Sequence, residues 1–166
     1  MPGSDLGRIL RGQYFDINEL STQGDEMNEH KNLDHFLVLS RLLMAAIFIW
    51  AGLGKIGSSA GTQAFMASKG LPAVELLFYL TVALEVLGGL ALIVGYRTTW
   101  VAAALAAFTL LAAVVFHTQF DDRNQMVHFM KNLAIVGGLL HIMVMGPGRV
   151  SMDASRARKH AEHSHS

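Results

Sequence analysis

The sequence of 166 residues contains no cysteine. This absence excludes disulfide exchange, thiolate nucleophiles, iron-sulfur ligation and cysteine-zinc sites from the chemistry of the chain. No serine lies near a base and an orienting acid at a recognisable spacing, so a nucleophilic enzyme is a distant alternative. Any redox role therefore requires a bound cofactor or a partner protein.

Charged residues are also scarce, at 16% of the chain, and the formal net charge is zero. No cluster of lysine and arginine is interleaved with aromatic residues, so nucleic acid is not an expected partner. In contrast, 52% of residues are hydrophobic and the mean hydropathy is +0.37. Most charges fall outside four apolar blocks, which indicates a membrane protein surrounded by a lipid bilayer.

Each apolar block is long enough to cross a membrane, which requires about 20 helical residues at about 1.5 Å each. The predicted spans are Phe36–Gly54, Pro72–Gly95, Thr98–Phe116 and a fourth from near Val127 to Met145. Only Tyr96 and Arg97 separate the second and third spans, so these two are antiparallel neighbours. The first span lies too far from the N-terminus to be a signal peptide. The sequence thus predicts an all-α integral membrane protein, a four-helix transmembrane bundle.

The distribution of basic residues predicts the orientation of this bundle. Eight of them lie on the side shared by both termini and the second loop: Arg8, Arg11, Lys31, Arg97, Arg149, Arg156, Arg158 and Lys159. Three lie on the other side: Lys55, Lys69 and Arg123. Because basic flanks stay in the cytoplasm, we expect both termini to be cytoplasmic.

Three regions follow from these spans. Residues 1–35 form a polar N-terminal extension, either disordered or in part an amphipathic surface helix. Translation starting at Met1 and translation starting at Met27 are both compatible with the sequence. Residues 36–148 form the four-span membrane domain, and residues 149–166 form a basic, histidine-containing cytoplasmic tail. We expect a solvated tail rather than one that binds metal or anionic lipid.

Ionisable residues inside the apolar runs are the main functional signal. Arg41 lies in the first span, Glu85 in the second, and Lys131 beside Asn132 in the fourth. Charges at such depth are costly and generally mark function. Fourteen residues after Arg41, Lys55 lies within about 40° of the same helix face and roughly 21 Å farther along the axis. That face, which includes Ala45, Phe48 and Gly52, is expected to look into the bundle.

The heights of these residues predict a line of polar side chains through the membrane, which we call the polar seam. Its candidate members are Arg41, Lys55, Glu85, His117, His128, Lys131 and Asn132. Glu85 has two candidate partners, Arg41 and Lys131, and the sequence does not choose between them. A structural ion pair is as good an interpretation of Arg41 and Glu85 as a functional one. Lys55 on its own is typical of an interfacial lysine whose ammonium reaches water.

Lys131 and Asn132 favour ligand binding, because adjacent donors with two histidines nearby suit a polar head group. A metal site is not expected at His117 and His128, since no H-x-x-x-H or carboxylate-rich spacing supports it. Small residues are predicted to let the helices approach closely, at Gly52 and Gly54, Gly88 and Gly89, Gly137 and Gly138, and the alanine pairs 102/106 and 103/107.

The polar positions lie within motifs that resemble the DoxX family of small bacterial inner-membrane proteins. The motifs are RLLMAAIFIWAGLGKI at 41–56, GTQAFMASKGLP at 61–72, EVLGGLALIVGYRT at 85–98, FH at 116–117, FMKNLAIVGGLL at 129–140 and GPGRVSMD at 146–153. The resemblance covers residues 36–153 and implies a four-helix bundle in the bacterial cytoplasmic (inner) membrane. The matching polar residues are Arg41, Lys55, Glu85, His117, Lys131 and Asn132. The N-terminal extension lies outside the pattern.

The family takes its name from a subunit associated with a quinone-linked oxidoreductase of sulfur metabolism, and other members are linked to membrane redox and thiol-stress complexes. The first of two function hypotheses is therefore a redox-associated membrane subunit. In this hypothesis Lys131, Asn132 and His117 donate hydrogen bonds to a quinone, while Glu85 or a histidine moves protons. The alternative is a non-enzymatic adaptor or small-solute carrier whose buried charges are mainly structural. The partners expected are a redox protein or a second copy of the chain.

Overall fold

The computed structural model describes residues 32–164 of the chain. Six helices lie in this range: α1 Asn32–Gly57, α2 Ser59–Ser68, α3 Val74–Val94, α4 Thr98–Phe116, α5 Arg123–Met145 and α6 Met152–His163. The chain divides into two compact units after Phe36. Of the first unit, residues 32–36 are the opening turn of α1. The predicted amphipathic segment and the Met27 start lie outside the described residues, and the packing below concerns the second unit.

Four of these helices, α1, α3, α4 and α5, are long and apolar enough to cross a membrane, as predicted. The bounds of α4 agree with the predicted third span. Helix α5 begins earlier than its apolar run, because Asp122 accepts a hydrogen bond from the backbone N–H of Asn124 and so caps a polar first turn. The lengths and the order of the spans could therefore be predicted from hydropathy, whereas the polar ends of the helices could not.

Two shorter helices were not predicted. Helix α2 lies between the first and second predicted spans, and α6 lies in the segment expected to be a solvated tail. No residue of α6 is buried. A capping signal for α6 was present in the sequence, since the Ser151 hydroxyl accepts a hydrogen bond from the Ala154 backbone N–H and Asp153 lies in the first turn.

The core of the bundle is built from one face of each spanning helix. The buried apolar cluster consists of Ala45, Phe48, Leu92, Ala102, Leu105, Ala106, Leu139 and Ile142. Ala45, Phe48 and Gly52 are buried together with Arg41, which confirms the predicted inward face of α1. The outward faces carry large apolar side chains, and Trp50 and Trp100 are among the most exposed. This surface is suited to lipid rather than to water.

Close helix contacts occur at four of the predicted glycines. Gly52 packs on Val86 and Glu85 of α3, Gly88 on Leu105, Gly89 on Ile49, and Gly138 on Met44. The prediction was wrong for Gly54 and Gly137, which face open space. Only one glycine of each of these two pairs faces a neighbour, because residues one or two positions apart on a helix point in different directions. The contact at Gly52 brings α1 against the middle of α3.

Candidate functional site

We name the two ends of the bundle after residues of α1. The Arg41 end contains the turn between α3 and α4 and the start of α6. The Lys55 end contains α2 and the loop between α4 and α5. The candidate seam residues do not all lie together: Arg41 lines a cavity at one end, and Lys55, Glu85, His117 and Asn132 line another at the opposite end.

The ion pair between Lys55 and Glu85 is the central feature of the Lys55 end. Lys55 Nζ lies 2.8 Å from both Oε1 and Oε2 of Glu85. The Glu85 side chain is 5% exposed and that of Lys55 27% exposed. Glu85 lies near the middle of α3, and the close contact at Gly52, one turn before Lys55, brings the two helices within reach.

This pairing corrects the sequence analysis in two respects. Glu85 pairs with neither Arg41 nor Lys131, and Lys55 is not simply an interfacial lysine. The position of a residue in a span gives the height of its Cα atom but not the reach of its side chain. A lysine near a span end has a long apolar stem, which allows its ammonium to extend toward the middle of the neighbouring helix.

A cavity of about 270 Å³ lies beside the ion pair. Helices α1 to α5 all contribute to its wall. The polar lining residues are Lys55, Thr62, Thr81, Glu85, Thr109, His117 and Asn132, and the others are apolar or aromatic. The Thr109 hydroxyl donates to the Leu105 carbonyl at 2.7 Å, which occupies its proton. A mainly apolar cavity with a few converging polar groups is typical of a small-molecule site.

His117 closes the cavity at the end of α4. Its Nδ1 lies 2.8 Å from Oε1 of Gln125, and its ring stacks on that of His128 with centroids 5.0 Å apart. Gln125 was missed by the sequence analysis because an amide in a polar helix turn carries no distinctive signal. The two contacts fix the orientation of the His117 ring at the cavity wall.

Four of the seven predicted seam residues line this cavity: Lys55, Glu85, His117 and Asn132. His128 contacts it only through His117. Lys131 is exposed on α5 and does not line the cavity. Consecutive helical residues point about 100° apart, so Lys131 and Asn132 do not face the same site.

Helix α2 supplies a wall that the sequence analysis did not anticipate. Thr62, Phe65 and Met66 line the cavity, and Met66 is buried. The Phe65 ring stacks on that of Phe116 with centroids 5.4 Å apart, which fastens α2 to the end of α4. Helix α2 thus covers the cavity at the Lys55 end.

A second cavity of about 230 Å³ adjoins the first and is lined almost wholly by apolar side chains. The two share five lining residues, Met66, Thr81, Phe108, Ala112 and Phe116. From there the second cavity extends between α3 and α4 to Leu80 and Leu111, both exposed on the lipid-facing surface. A polar compartment therefore borders an apolar one that reaches the outside of the bundle.

The stacked histidines, His117 and His128, are not part of a larger group of metal-ligating side chains in the described residues. Across residues 32–164, no group of three or more His, Asp or Glu side chains has the arrangement needed to hold an ion. Two imidazoles alone leave a transition metal with too few protein ligands for a typical site.

At the opposite end, Asp153 joins α6 to the turn between α3 and α4. Its carboxylate accepts hydrogen bonds from the backbone N–H groups of Arg97 and Thr98 and from the Thr98 hydroxyl, at 2.8 to 3.0 Å. Its own N–H donates to the Gly95 carbonyl at 3.0 Å. Asp153 therefore caps α4, whose local N-cap Arg97 supplies no side-chain cap.

The pKa of Asp153 reflects this role. Partial burial of the carboxyl acts to raise its pKa, but the hydrogen bonds from Thr98 and Arg97 and the charge of Arg156 outweigh burial and hold the pKa below its usual value. Arg156 also lies over the Tyr96 ring, with its guanidinium carbon 4.6 Å from the centroid. Through Asp153, the GPGRVSMD motif at 146–153 therefore holds the turn between α3 and α4 in place.

Together, the four spanning helices and the cavity beside a partly buried ion pair define a multi-pass α-helical membrane protein. The chain matches the DoxX family over residues 36–118, and it belongs to that family. It is 44% identical over 117 residues to the inner membrane protein YqjF of Escherichia coli (strain K12), covering 70% of this chain and 88% of the relative.

A second relative, the inner membrane protein YphA of Escherichia coli (strain K12), is 32% identical over 122 residues, covering 70% of this chain and 87% of the relative. No solved structure matches the chain. The relatives and the four apolar helices identify a multi-pass protein of the bacterial inner membrane. The names of both relatives state a location and no activity.

Proposed function

We propose that this protein is a redox-associated subunit that binds a quinone, or a similar amphiphile, in the cavity at the Lys55 end. The observation that carries the proposal is the junction of two compartments, one polar beside the Lys55–Glu85 pair and one apolar that reaches the lipid-facing surface. A quinone has the same division, with a carbonyl-bearing ring and an apolar chain.

The polar compartment suits the ring. Quinone oxygens accept hydrogen bonds, and donors near the cavity are the Lys55 ammonium and the Asn132 amide. An ammonium has three N–H bonds, of which Glu85 accepts two, so one remains for a ligand. Lys55 thereby takes the role that the sequence analysis gave to Lys131.

The apolar compartment suits the chain of the ligand. Leu77, Leu84 and Val115 line it, and none of them carries a polar group that a hydrocarbon chain would desolvate. Because Leu80 and Leu111 are exposed between α3 and α4, a ligand enters from the bilayer without crossing water.

Reduction of a quinone to a quinol consumes two electrons and two protons. Because the chain has no cysteine, thiol chemistry of its own does not supply the electrons, and we assign them to a redox partner protein. Glu85 and His117 face the cavity as groups that exchange protons with a ring oxygen. The stacked His128 extends this path toward the start of α5.

Extraction in mild detergent followed by mass spectrometry of the retained lipids tests the proposal. We expect the purified protein to retain a quinone, and Asn132→Leu to retain about tenfold less, the effect of one lost hydrogen bond at an unpaired polar group. Lys131→Ala is the matched control, because its side chain is adjacent in sequence but outside the cavity. Absence of quinone from the wild-type protein, or equal retention in the two variants, rejects a quinone site.

A second candidate function is that of a membrane adaptor, and the exposed position of Lys131 favours it. A lysine on the outer face of an apolar span is costly against lipid, whereas an acidic group on a partner helix would balance its charge. The partner is then a redox protein or a second copy of this chain. In the same preparation, Lys131→Ala should lose a co-purifying protein or the dimer while Asn132→Leu retains it.

A further inference from the structure

The Arg41 end contains a cavity of about 530 Å³ that shares no lining residue with the cavity at the Lys55 end. Its polar lining comes from Arg41 of α1, Arg149 and Ser151 before α6, and Ser155 and Arg158 of α6. Three arginines thus converge on one cavity. Neither hypothesis of the sequence analysis assigns a role to this group.

Arg41 is the buried member of the group, with 2% of its surface exposed. Its Nη2 donates to the Val150 carbonyl at 2.7 Å, while Nε and Nη1 have no hydrogen-bond partner. A buried cation with two unused donor atoms is unusual, because buried polar groups are generally hydrogen-bonded and buried charges are paired.

The backbone fixes this guanidinium in place. Gly95, with φ +66°, packs directly against Arg41 Nη1, and a Cβ at position 95 would collide with it and with Ser151. The left-handed conformation and the close approach both require glycine there. The α3–α4 turn therefore fixes the position of the Arg41 guanidinium.

No acidic side chain lines this cavity in the described part of the chain, whereas three arginines do. The carboxylate of Asp153 attracts the charge of Arg41, but its oxygens accept three hydrogen bonds from Arg97 and Thr98. The cavity lining itself is therefore basic.

We propose that this cavity binds a phosphate group, either the phosphodiester of an anionic lipid head group or free phosphate. Arg149 and Arg158 have exposed side chains at the rim, and the planar arginine fork matches phosphate oxygens. Arg41 supplies the buried charge beneath them. The N-terminus of α6, a helix of 12 residues, begins at the cavity wall and adds its positive dipole end.

The test uses the full-length protein in phosphatidylcholine nanodiscs. One arm adds inorganic phosphate and follows the melting temperature, and the other adds phosphatidylglycerol to the bilayer and counts retained lipids by native mass spectrometry. Arg158→Gln is the main variant because its exposed side chain should not affect folding. Lys159→Gln removes an equal charge from the next residue, which does not line the cavity.

We expect phosphate or phosphatidylglycerol to bind the wild-type protein, and Arg158→Gln to weaken that binding about tenfold, as for one lost charge-assisted hydrogen bond. Lys159→Gln should bind as the wild type does. A response in the lipid arm alone identifies a head group, and a response to inorganic phosphate identifies the free anion as a ligand. No binding in either arm, or equal losses in both variants, overturns the proposal.

Discussion

Glu85 and Lys55 form a charged pair inside the bundle, and this pairing was not predicted from the sequence. The residues themselves were identified from their depth in the spans. Their pairing was not, because it depends on the close contact at Gly52 and on the length of the lysine side chain. The same holds for Arg41, whose nearest polar partner is the Val150 carbonyl, 109 residues away in sequence.

At the residue scale, the pair predicts a coupled effect of substitution. Lys55→Met leaves the carboxylate of Glu85 without its ion-pair partner, which should lower the free energy of unfolding in detergent by about 2 kcal/mol, less than for a fully buried pair because Lys55 is partly exposed. The double variant Lys55→Met with Glu85→Gln should be more stable than Lys55→Met alone. Denaturant titration of the wild type, Lys55→Met, Glu85→Gln and the double variant measures the coupling, and additive effects would show that the pair does not interact.

Asp153 predicts a pH dependence. Because its pKa is held below the usual value in the folded protein, its carboxylate stabilises the fold fully above about pH 4, the value in an unfolded chain, and this contribution is lost as the pH falls through the lower folded pKa. Asp153→Ala should therefore cost about 1 kcal/mol at pH 7, the scale of a helix cap.

The difference in melting temperature between the wild type and Asp153→Ala should shrink below pH 4. Asp121→Ala, in the exposed loop at the other end, is the control and should change little at either pH. A difference that stays constant down to pH 2 would mean that the carboxylate charge is not what stabilises the α3–α4 turn.

At the element scale, the spanning helices were predictable because length and hydropathy are local properties of the sequence. Helices α2 and α6 were missed since neither is apolar enough to resemble a span, and α2 is positioned by packing on α4 through Phe65 and Phe116. The cavity at the Lys55 end was missed for the same reason, because α2 forms one of its walls.

The stack of Phe65 on Phe116 fastens α2 to α4. We therefore expect that loss of this stack detaches α2 without unfolding the bundle. Phe65→Ala should increase amide hydrogen exchange in α2 and leave exchange in α4 unchanged, because the spanning helices retain their own core. Phe65→Ala should also retain less quinone than the wild-type protein. Phe120→Ala, which removes a different aromatic contact, with Phe129, is the matched control. Equal protection of α2 in Phe65→Ala and the wild type would show that the stack does not hold α2.

For the whole molecule, family membership and the inner membrane location are established by the matches and the four spans. The orientation remains a prediction from eight basic residues against three. A green fluorescent protein fused after the C-terminus should fluoresce, because it folds in the cytoplasm. Alkaline phosphatase inserted at Gly61 in α2 should be active outside the cytoplasm. The opposite pair of results would reverse the predicted orientation.

The central claim is that the cavity between the Lys55–Glu85 pair and helix α2 binds a quinone-like amphiphile. Photolabelling with a quinone that carries a photoreactive group on its ring tests this most directly, with labelled peptides mapped by mass spectrometry in native membranes. The account predicts labels on α2 and on the α4 segment around Phe108 and Thr109, removed by an excess of unlabelled quinone. Labels spread over the lipid-facing surface, as at Trp50 and Trp100, and unaffected by competition would contradict it.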